Sequence, residues 1–399
     1  MIREAAKAQE HKGKVKSPWL CPSGTKFIQL LAVSLCTLLV MSCASLRLPR
    51  ELKTSSAGWA MYGRDAVHSS MTEMTSTRLE QIWNHNVNAG FGNFSPIIKN
   101  GIVYVGTLKG EIYALDVVTG KEFASKTFNG AIFSGPAISD SIMVVCSSQS
   151  DKNIFAYDIY SGSIIWSKQI ADVESSPTIL KSEIFVATVK GDFYKFDLQT
   201  GAEIFHKNFI GPIRSSPAVD DSLCVFGCDD GNVYGISAVD GRQIWKYDVP
   251  QGGIWCSASM NDSSVFIGTN GGRLLALGKD GKLEFDFATD NKILSMPITD
   301  ERCVYFGCDD GNFYALNIHS GALIWKVHID APITSSASQT TNQVFFGGLD
   351  KNLYVIEKSD GKVAQEISLP GRVRTQPAIW KNHLVVGAED SDVYGFEIK

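Results

Sequence analysis

One position recurs eight times in this sequence, three residues before a proline or alanine, and it carries four side chains suited to binding a partner. Two arginines and a tryptophan could dock a carboxylate or a peptide segment, because Arg and Trp are among the residue types that most often anchor interfaces. The four candidate partner-binding residues are Glu174, Arg214, Trp255 and Arg374, within the series Asn93, Phe133, Glu174, Arg214, Trp255, Leu294, Thr334 and Arg374.

The rest of the sequence offers no set of residues with the spacing of a catalytic or metal-binding site. The six histidines from His68 onward lack metal-ligand spacing, and no Gly-x-Ser-x-Gly nucleophile motif occurs. Serines recur in one column, whereas a nucleophile would occur once, so their recurrence indicates packing. These serines include Ser175, Ser176, Ser215, Ser216, Ser335 and Ser336. We therefore predict no catalytic, cofactor-binding or metal-binding residue, and a protein that is not an enzyme.

The candidate residues belong to a unit of about forty residues that repeats to the C-terminus. Seven turn glycines mark this unit, with successive spacings of 42, 39, 40, 40, 40 and 40 residues. A fixed period of this size is typical of a repeat architecture, and it overrides the division into several domains that 399 residues would otherwise suggest. The glycines are Gly120, Gly162, Gly201, Gly241, Gly281, Gly321 and Gly361.

Each repeat contains four strand signals and no helix signal. In the copy from Ile213 to Val249 the predicted strands are 213–218, 222–228, 232–237 and 242–249. The Asp229-Asp230-Gly231-Asn232 segment between two of them is a strong hairpin turn, because Gly and Asn tolerate positive φ. Four short antiparallel strands in about forty residues is the size of one β-propeller blade.

Aromatic columns give the number of blades and the way the ring closes. The final repeat stops after its third strand, and the segment from Leu79 to Val87, with Trp83 in the aromatic position, can supply the missing fourth strand. We predict an all-β fold, an eight-bladed β-propeller of four-stranded antiparallel blades whose ring is closed by an N-terminal strand. The third-strand column is Tyr113, Phe155, Tyr194, Tyr234, Leu275, Tyr314, Tyr354 and Tyr394. The fourth-strand column is Phe123, Trp166, Phe205, Trp245, Phe285 and Trp325.

In a ring of eight blades, units four apart face each other. Arg214 and Arg374 are four units apart, so they should point across the central channel, and Glu174 lies in the blade next to Arg214. Two interpretations follow. Either these residues solvate the channel mouth and Glu174 pairs with Arg214, contributing about 0–1 kcal/mol, or two arginines and Trp255 form a docking site.

The N-terminal region has a different composition. An apolar run from Phe27 to Cys43 is too short to span a bilayer comfortably, which is typical of a signal peptide. Its end, Val40-Met41-Ser42-Cys43, resembles a bacterial lipobox, in which Cys43 would be lipidated; an uncleaved signal anchor is the alternative. We predict a signal peptide over 1–43, a linker over 44–56 and the propeller over 57–399.

The net charge and the cysteine positions argue against a nucleic-acid partner and against a disulfide between Cys224 and Cys228. The net charge of −5 argues against a nucleic-acid partner, which normally requires basic clustering. Cys224 and Cys228 lie four residues apart on one strand, too far apart for a disulfide. We expect the cysteines beyond the N-terminal region to be buried small side chains.

Several segments resemble the pyrroloquinoline-quinone-like (PQQ-like) propeller repeat. They include ALDVVTGKEF, AYDIYSGSIIW, KFDLQTGAEIF and ALNIHSGALIW, and the resemblance covers about 57–399. A lipoprotein with one eight-bladed ring is similar to the BamB family of outer-membrane lipoproteins. That resemblance implies a non-catalytic scaffold, a monomer within the outer-membrane barrel assembly complex, anchored by lipid at the periplasmic face. The inter-blade loops here are short, as in Pro250-Gln251-Gly252-Gly253, and lack that family's Leu-x-Leu-Arg segment.

Two other functions remain open. One is a small PQQ-dependent quinoprotein dehydrogenase, although the vicinal cysteine pair often found in those enzymes is missing here. The other is a propeller that recognises an extended peptide, by pairing with an exposed strand or by docking in the channel.

Overall fold

The computed structural model describes residues 45–49, 58–249 and 252–399, and this part of the chain is all-β, with eight four-stranded antiparallel sheets in a propeller ring. The predicted fold class and blade number are confirmed. The first strand is β1 (Leu79–Asn86). Blade 1 contains β2 (Ile97–Lys99), β3 (Ile102–Gly106), β4 (Glu111–Asp116) and β5 (Glu122–Thr127). Blade 2 contains β6 (Ala137–Ser139), β7 (Ile142–Cys146), β8 (Ile154–Asp158) and β9 (Ser163–Lys168). Blade 3 contains β10 (Thr178–Leu180), β11 (Glu183–Ala187), β12 (Asp192–Asp197) and β13 (Glu203–Asn208). Blade 4 contains β14 (Ala218–Val219), β15 (Leu223–Gly227), β16 (Asn232–Ser237) and β17 (Gln243–Asp248).

The second half of the ring repeats this order. Blade 5 contains β18 (Ser259–Met260), β19 (Ser264–Gly268), β20 (Arg273–Gly278) and β21 (Leu283–Ala288). Blade 6 contains β22 (Ile298–Thr299), β23 (Cys303–Gly307), β24 (Asn312–Asn317) and β25 (Leu323–His328). Blade 7 contains β26 (Ser338–Gln339), β27 (Gln343–Gly347), β28 (Asn352–Glu357) and β29 (Val363–Ser368). Blade 8 contains β30 (Ala378–Trp380), β31 (His383–Gly387) and β32 (Asp392–Ile398), and β1 is its fourth strand.

Antiparallel order gives the ring two distinct faces. The turns between second and third strands, and the connections between blades, lie at one end, which we call the pocket face. The turns between first and second strands and between third and fourth strands lie at the other end, which we call the floor face.

The ring closes as predicted, through β1 in the outer position of blade 8. β1 pairs antiparallel with β32, and Trp83 lies opposite Gly395. A Cβ atom at Gly395 would lie 2.0 Å from the indole, so a glycine is needed there. The indole Nε1 of Trp83 donates to the Val117 carbonyl of blade 1 at 2.9 Å. Trp83 therefore joins the two ends of the propeller and also contacts the next blade.

The periodic glycines and the fourth-strand aromatic column form one type of contact between blades. Gly281 of blade 5 has a φ of +81°, and an added Cβ would lie 2.6 Å from the indole of Trp245 in blade 4. The Trp245 Nε1 also donates to the Lys279 carbonyl at 2.8 Å. Six of the seven turn glycines thus supply a left-handed backbone and the space for the ring of the preceding blade. The exception is Gly162, where Arg47 and Ser45 of the N-terminal region occupy that space.

The first strand of blade 4 is shorter than its sequence pattern predicts. In blade 4 the prediction of a strand over 213–218 was wrong, because pairing begins at Ala218. Pro217 has no N–H to donate. The Ser215 hydroxyl instead makes the hydrogen bonds to the second strand that a backbone N–H and carbonyl would make in a longer first strand. It donates to the Gly227 carbonyl at 2.8 Å and accepts from the Gly227 N–H at 2.9 Å. The third predicted strand, 232–237, is confirmed.

The recurring serines also form hydrogen bonds between blades. The backbone N–H groups of Gly135, Ser176 and Ser216 donate to the hydroxyls of Ser176, Ser216 and Ser257, at 3.0, 2.9 and 2.8 Å. Each bond runs from one blade to the next around the channel. These serines therefore do more than pack as small side chains, because their hydroxyls also satisfy backbone N–H groups near the channel axis.

The segment Gly58–Ser70, which we call the floor segment, crosses the channel at the floor face. Its carbonyls accept backbone hydrogen bonds from the first strands of blades 1, 2, 4, 5 and 7. Trp59 is fully buried within the main apolar cluster. Because this segment contacts five blades, it closes one end of the channel. The donor residues are Ile98, Ile138, Val219, Met260 and Gln339, at 2.7 to 3.0 Å.

A second N-terminal segment, Ser45–Pro49, packs on blade 2, and we call it the strap. Leu46 and Leu48 are 0% and 2% exposed. The Leu48 N–H donates to the Ile159 carbonyl at 2.9 Å, and the Tyr157 hydroxyl donates to the Leu46 carbonyl at 3.0 Å. This part of the predicted linker is thus held by main-chain hydrogen bonds and by two buried leucines.

Several predictions concern residues beyond the described ranges. The predicted signal peptide 1–43, its lipidated Cys43, and the linker positions 44 and 50–56 lie outside the described residues. Within the described ranges, no helix has the length and apolar character that a membrane crossing requires. Six cysteines in these ranges are free and buried, as expected: Cys146, Cys224, Cys228, Cys256, Cys303 and Cys308.

Candidate functional site

The central channel contains a pocket of about 400 Å³, lined by the candidate column from all eight blades. The structure therefore brings together every residue of the series that the sequence singled out, including Glu174, Arg214, Trp255 and Arg374. Leu108 and Glu389, from turns between second and third strands, place the opening at the pocket face. Tyr62 of the floor segment lines the opposite end, where its hydroxyl hydrogen-bonds with the Ser336 hydroxyl at 2.8 Å. The pocket is therefore blind.

Arg214 lies at the centre of a charged cluster on blades 3 and 4. Its Nη1 forms an ion pair with Glu174, as the sequence indicated. Its Nε donates to Asp229 at 3.1 Å, and its guanidinium carbon lies 5.8 Å from the Trp255 ring centroid. The sequence placed Asp229 only in a hairpin turn. Its role becomes evident once the turn is known to lie at the same end of the channel as the column.

Arg374 belongs to a second charged cluster, on blade 8, four blades from Arg214. Its Nε lies 2.6 Å from Glu389, and Arg372 pairs with the other oxygen of the same carboxylate. Sequence reasoning missed Glu389, which lies in the turn after β31. Both candidate arginines are thus already paired, so a partner carboxylate would have to compete with Glu174, Asp229 or Glu389.

Apolar side chains separate these charged clusters around the pocket. Phe91, Leu108 and Phe133 line it at blades 1 and 2, and Trp255 and Leu294 line it at blades 5 and 6. Trp255 keeps 46% of its surface exposed, so its ring is available for contact with a partner. Alternating apolar and charged sectors suit a protruding amphipathic segment, which could bury a side chain while its polar groups meet the paired charges.

The pocket residues do not fit the calcium-supported quinone site that the PQQ-like repeat implies. Glu174 and Glu389 are the carboxylates that line the pocket, and each is bound by an arginine. Among residues 45–49, 58–249 and 252–399, no group of three His, Cys, Asp or Glu side chains could hold a metal ion. We therefore derive no chemistry from a bound quinone.

His68 in the floor segment makes folding stability depend on pH. It is buried, its Nδ1 lies 2.6 Å from the Ala258 carbonyl, and its Nε2 has no partner. Burial lowers the pKa of His68, although the Ala258 carbonyl and Asp65 act in the opposite direction. The unfolded chain therefore binds a proton at higher pH than the folded protein does. Stability is complete above the unfolded pKa of about 6.5 and is lost as the pH falls toward the folded pKa.

We expect denaturant midpoints to fall between pH 7 and pH 5, with His68 contributing up to about 1.4 kcal/mol per pH unit. His383 contributes in the same direction, because burial lowers its pKa too. The measurement is urea unfolding at several pH values for the wild type and for His68→Gln. The variant should show a flatter dependence, and an unchanged slope would contradict this assignment.

Comparison with known proteins agrees with the fold and its repeats. A family model described as outer membrane protein assembly factor BamB matches residues 76–183, 172–253, 229–344 and 320–399. The chain is similar to the outer membrane protein assembly factor BamB of Nitrosomonas eutropha, with 24% identity over 254 residues, covering 58% of this chain and 50% of the relative. The chain thus spans about half the length of that curated relative.

Solved structures show the same fold. The crystal structure of BamB from Moraxella catarrhalis superposes with a TM-score of 0.69 at 17% identity, covering 80% of this chain and 100% of that one. A europium-containing methanol dehydrogenase superposes with a TM-score of 0.73 at 13% identity, covering 86% of this chain and 99% of that one. Because an assembly factor and an enzyme match about equally well, fold similarity does not choose between scaffold and enzyme.

Proposed function

Because this chain belongs to the family of the outer membrane protein assembly factor BamB, we propose that it is a non-catalytic scaffold that assists outer-membrane β-barrel assembly through protein contacts. The observation that carries this proposal is the blind pocket, in which two opposed, carboxylate-paired arginines flank an exposed Trp255. Such a surface is preorganised for contact with a protein segment. The protein would act as a monomer within a larger complex.

The membrane attachment is part of the same proposal. Cys43 would carry the lipid, and the residue after it is Ala44 rather than the aspartate that retains lipoproteins in the inner membrane of enterobacteria. The protein would then reside at the periplasmic face of the outer membrane. Palmitate labelling of the wild type against Cys43→Ala tests this attachment. Equal labelling of both proteins would contradict it and would favour an uncleaved signal anchor.

Co-purification from membranes followed by mass spectrometry tests the role. Barrel-assembly subunits in stoichiometric amounts would support the scaffold proposal. A spread of unrelated client proteins would favour general recognition of extended peptides. Dye reduction with added quinone and calcium tests the quinoprotein alternative, and turnover that depends on both additives would overturn the non-catalytic assignment.

Replacing Arg214 and Arg374 together by alanine should weaken partner capture without a large change in stability. A loss of about tenfold in affinity corresponds to about 1.4 kcal/mol, which is the scale of a modest interface residue. Partly exposed ion pairs of this kind contribute about 0–1 kcal/mol to folding. The measurement is titration of the captured partner against each variant, with thermal melting recorded in parallel.

Arg242→Ala is a matched control for this experiment. Arg242 also pairs with a carboxylate, Asp240, at 2.7 Å, but it lies in a turn between third and fourth strands on the floor face. Capture should survive this change. If the double variant remains folded and binds like the wild type, the pocket is not the docking site, even if the scaffold role stands.

A further inference from the structure

The strap lies on the floor face, at the opposite end of the ring from the pocket. Its partners are Tyr157, Ile159 and Tyr160, at the turn between the third and fourth strands of blade 2. The Arg47 Nε donates to the Tyr160 carbonyl at 3.3 Å, adding a side-chain contact to the main-chain bonds. The chain therefore leaves the propeller from one defined edge of one face.

We infer that the floor face at blades 8, 1 and 2 lies against the membrane surface, so that the pocket opens away from the bilayer. This inference rests on the membrane attachment in the proposed function, and it would hold for a lipid at Cys43 or for a retained signal anchor that ends there. It assigns the bilayer surface as the partner of the floor face, separate from the protein partner of the pocket.

The chain between the anchor and the strap is short. An extended chain advances at most about 3.6 Å per residue, so the two steps from Cys43 to Ser45 span about 7 Å at most. If the tether were free up to Gly58, where the floor segment begins, the same arithmetic would give about 50 Å. Docking of Leu46 and Leu48 therefore decides whether the propeller stays at the surface or moves freely above it.

The residues at this edge of the floor face are suited to an anionic lipid surface. Around the strap, Arg47, Lys121 and Lys381 are exposed, and Val118 is 52% exposed. Lys381 lies 4.4 Å from the ring centroid of Trp380, a partly buried indole beside the turn of blade 1. Tryptophan together with lysine is typical of protein surfaces at membrane interfaces. Cations near an anionic lipid surface are attracted to it.

Acidic groups are distributed in the way that this orientation requires. Near the strap, the Asp116 and Asp158 carboxylates accept backbone hydrogen bonds within their own turns, Glu122 lies 3.6 Å from His85, and both Glu122 and Asp140 are exposed. Across the same face, the turns between first and second strands of blades 4, 5 and 6 carry more carboxylates. These are Asp220, Asp221, Asp262, Asp300 and Glu301. Lysines pair with three of them, Asp220, Asp221 and Asp300, so the excess negative charge of this edge lies on the exposed Asp262 and Glu301. An anionic bilayer would therefore favour the strap edge over the opposite edge.

Energy transfer from three labelled positions to the bilayer tests the orientation. A donor dye is attached to the introduced cysteine in each of three variants, Val118→Cys, Lys109→Cys and Asp262→Cys. The six native cysteines in the described ranges are buried, so they should not react with the dye. The purified, anchored protein is bound to vesicles of phosphatidylethanolamine and phosphatidylglycerol that contain an acceptor-labelled lipid. Lys109 and Val118 lie at the two ends of the six-residue strand β4. A strand of that length spans about 20 Å, so transfer should be at least about twofold higher from position 118 than from 109.

A longer tether provides the decisive comparison. A twelve-residue Gly/Ser insertion between Ala44 and Ser45 leaves the strap docked and the fold intact but frees the propeller from the surface (about 5–6 Å × √n of added reach). The insertion should abolish the difference between positions 118, 109 and 262 while vesicle binding persists. Leu46→Ala with Leu48→Ala should have the same effect by releasing the strap.

The outcomes separate this inference from the proposed function. Equal or reversed transfer at the three positions in the wild type, with vesicle binding retained, would overturn the orientation and leave the scaffold role intact. Vesicle binding without palmitate at Cys43 would overturn the lipid attachment. With Cys21, Cys36 and Cys43 replaced by serine to confine the dye to the introduced cysteine, the three labels would still decide the orientation in that case, because a retained anchor ends at the same residue.

Discussion

Trp83→Ala is expected to lower the free energy of unfolding by about 3–5 kcal/mol, the range for truncating a large buried aromatic side chain. Trp83 is 8% exposed and lies where the N-terminal strand completes the last blade. Its ring fills the space above Gly395 and Gly120, and its Nε1 donates to Val117. Alanine would remove contacts with blades 8 and 1 together, at the seam where the ring is held only by non-covalent bonds.

Two further variants separate the contributions of this side chain. Trp83→Phe keeps an aromatic ring but loses the N–H bond and part of the buried indole that packs on Gly395, so a cost of about 1–3 kcal/mol, smaller than that of Trp83→Ala, is expected. Phe123, Phe205 and Phe285 occupy the equivalent position in other blades, which indicates that the site tolerates a phenyl ring. Ile82→Ala, at a side chain 40% exposed on the same strand, should cost less than either. Urea unfolding is the measurement, and equal midpoints for Trp83→Ala and Ile82→Ala would refute a central role in closure.

The sequence predicts the ring well because each blade repeats the same physical requirements. Turn glycines, a third-strand aromatic column and a fourth-strand aromatic column recur with a period near forty, so most of the eight copies agree with one another. Even the position where the pattern fails is informative. Gln365 stands where blade 7 should have an aromatic residue, and its side-chain amide bonds the Leu79 backbone N–H and carbonyl at 2.8 and 2.9 Å. The missing aromatic residue could be seen in the sequence. The contact that Gln365 makes could not be predicted without knowing where β1 lies.

The parts that the sequence did not predict depend on contacts formed only after the ring closes. The floor segment pairs with five blades through main-chain hydrogen bonds, which leave no side-chain pattern. The first-strand boundary of blade 4 was wrong because Ser215 replaces ladder bonds with hydroxyl bonds. Asp229 and Glu389 were missed as partners of the pocket arginines because each lies fifteen residues after its arginine and reaches it through a hairpin turn.

Pairing of the two candidate arginines changes what the pocket can recognise. A free guanidinium would select a carboxylate, whereas one already bound by Glu174 or Glu389 gains little from a second anion. Exchange of one partner for another in a partly exposed pair changes affinity modestly. The exposed face of Trp255 is then the stronger source of binding energy, and the charged clusters set the orientation of the bound segment.

Trp59→Ala is the second change with a large expected effect, again about 3–5 kcal/mol. Trp59 is 0% exposed and bridges to Ile98 of blade 1, within the largest apolar cluster. Its Nε1 has no hydrogen-bond partner, so the loss would come from packing alone. Because the floor segment contacts five blades, weakening it should lower the cooperativity of the ring as well as its stability.

Arg64→Ala supplies the control, since Arg64 lies in the same segment with about a third of its side chain exposed and pairs with Asp65 at 3.6 Å. That change should stay within about 0.5 kcal/mol of the wild type. Calorimetry and urea unfolding of both variants measure the difference. If Trp59→Ala unfolds like Arg64→Ala, the floor segment is a peripheral attachment. The channel would then not be firmly closed at the floor face. A docking segment could extend through it instead of entering only by its tip.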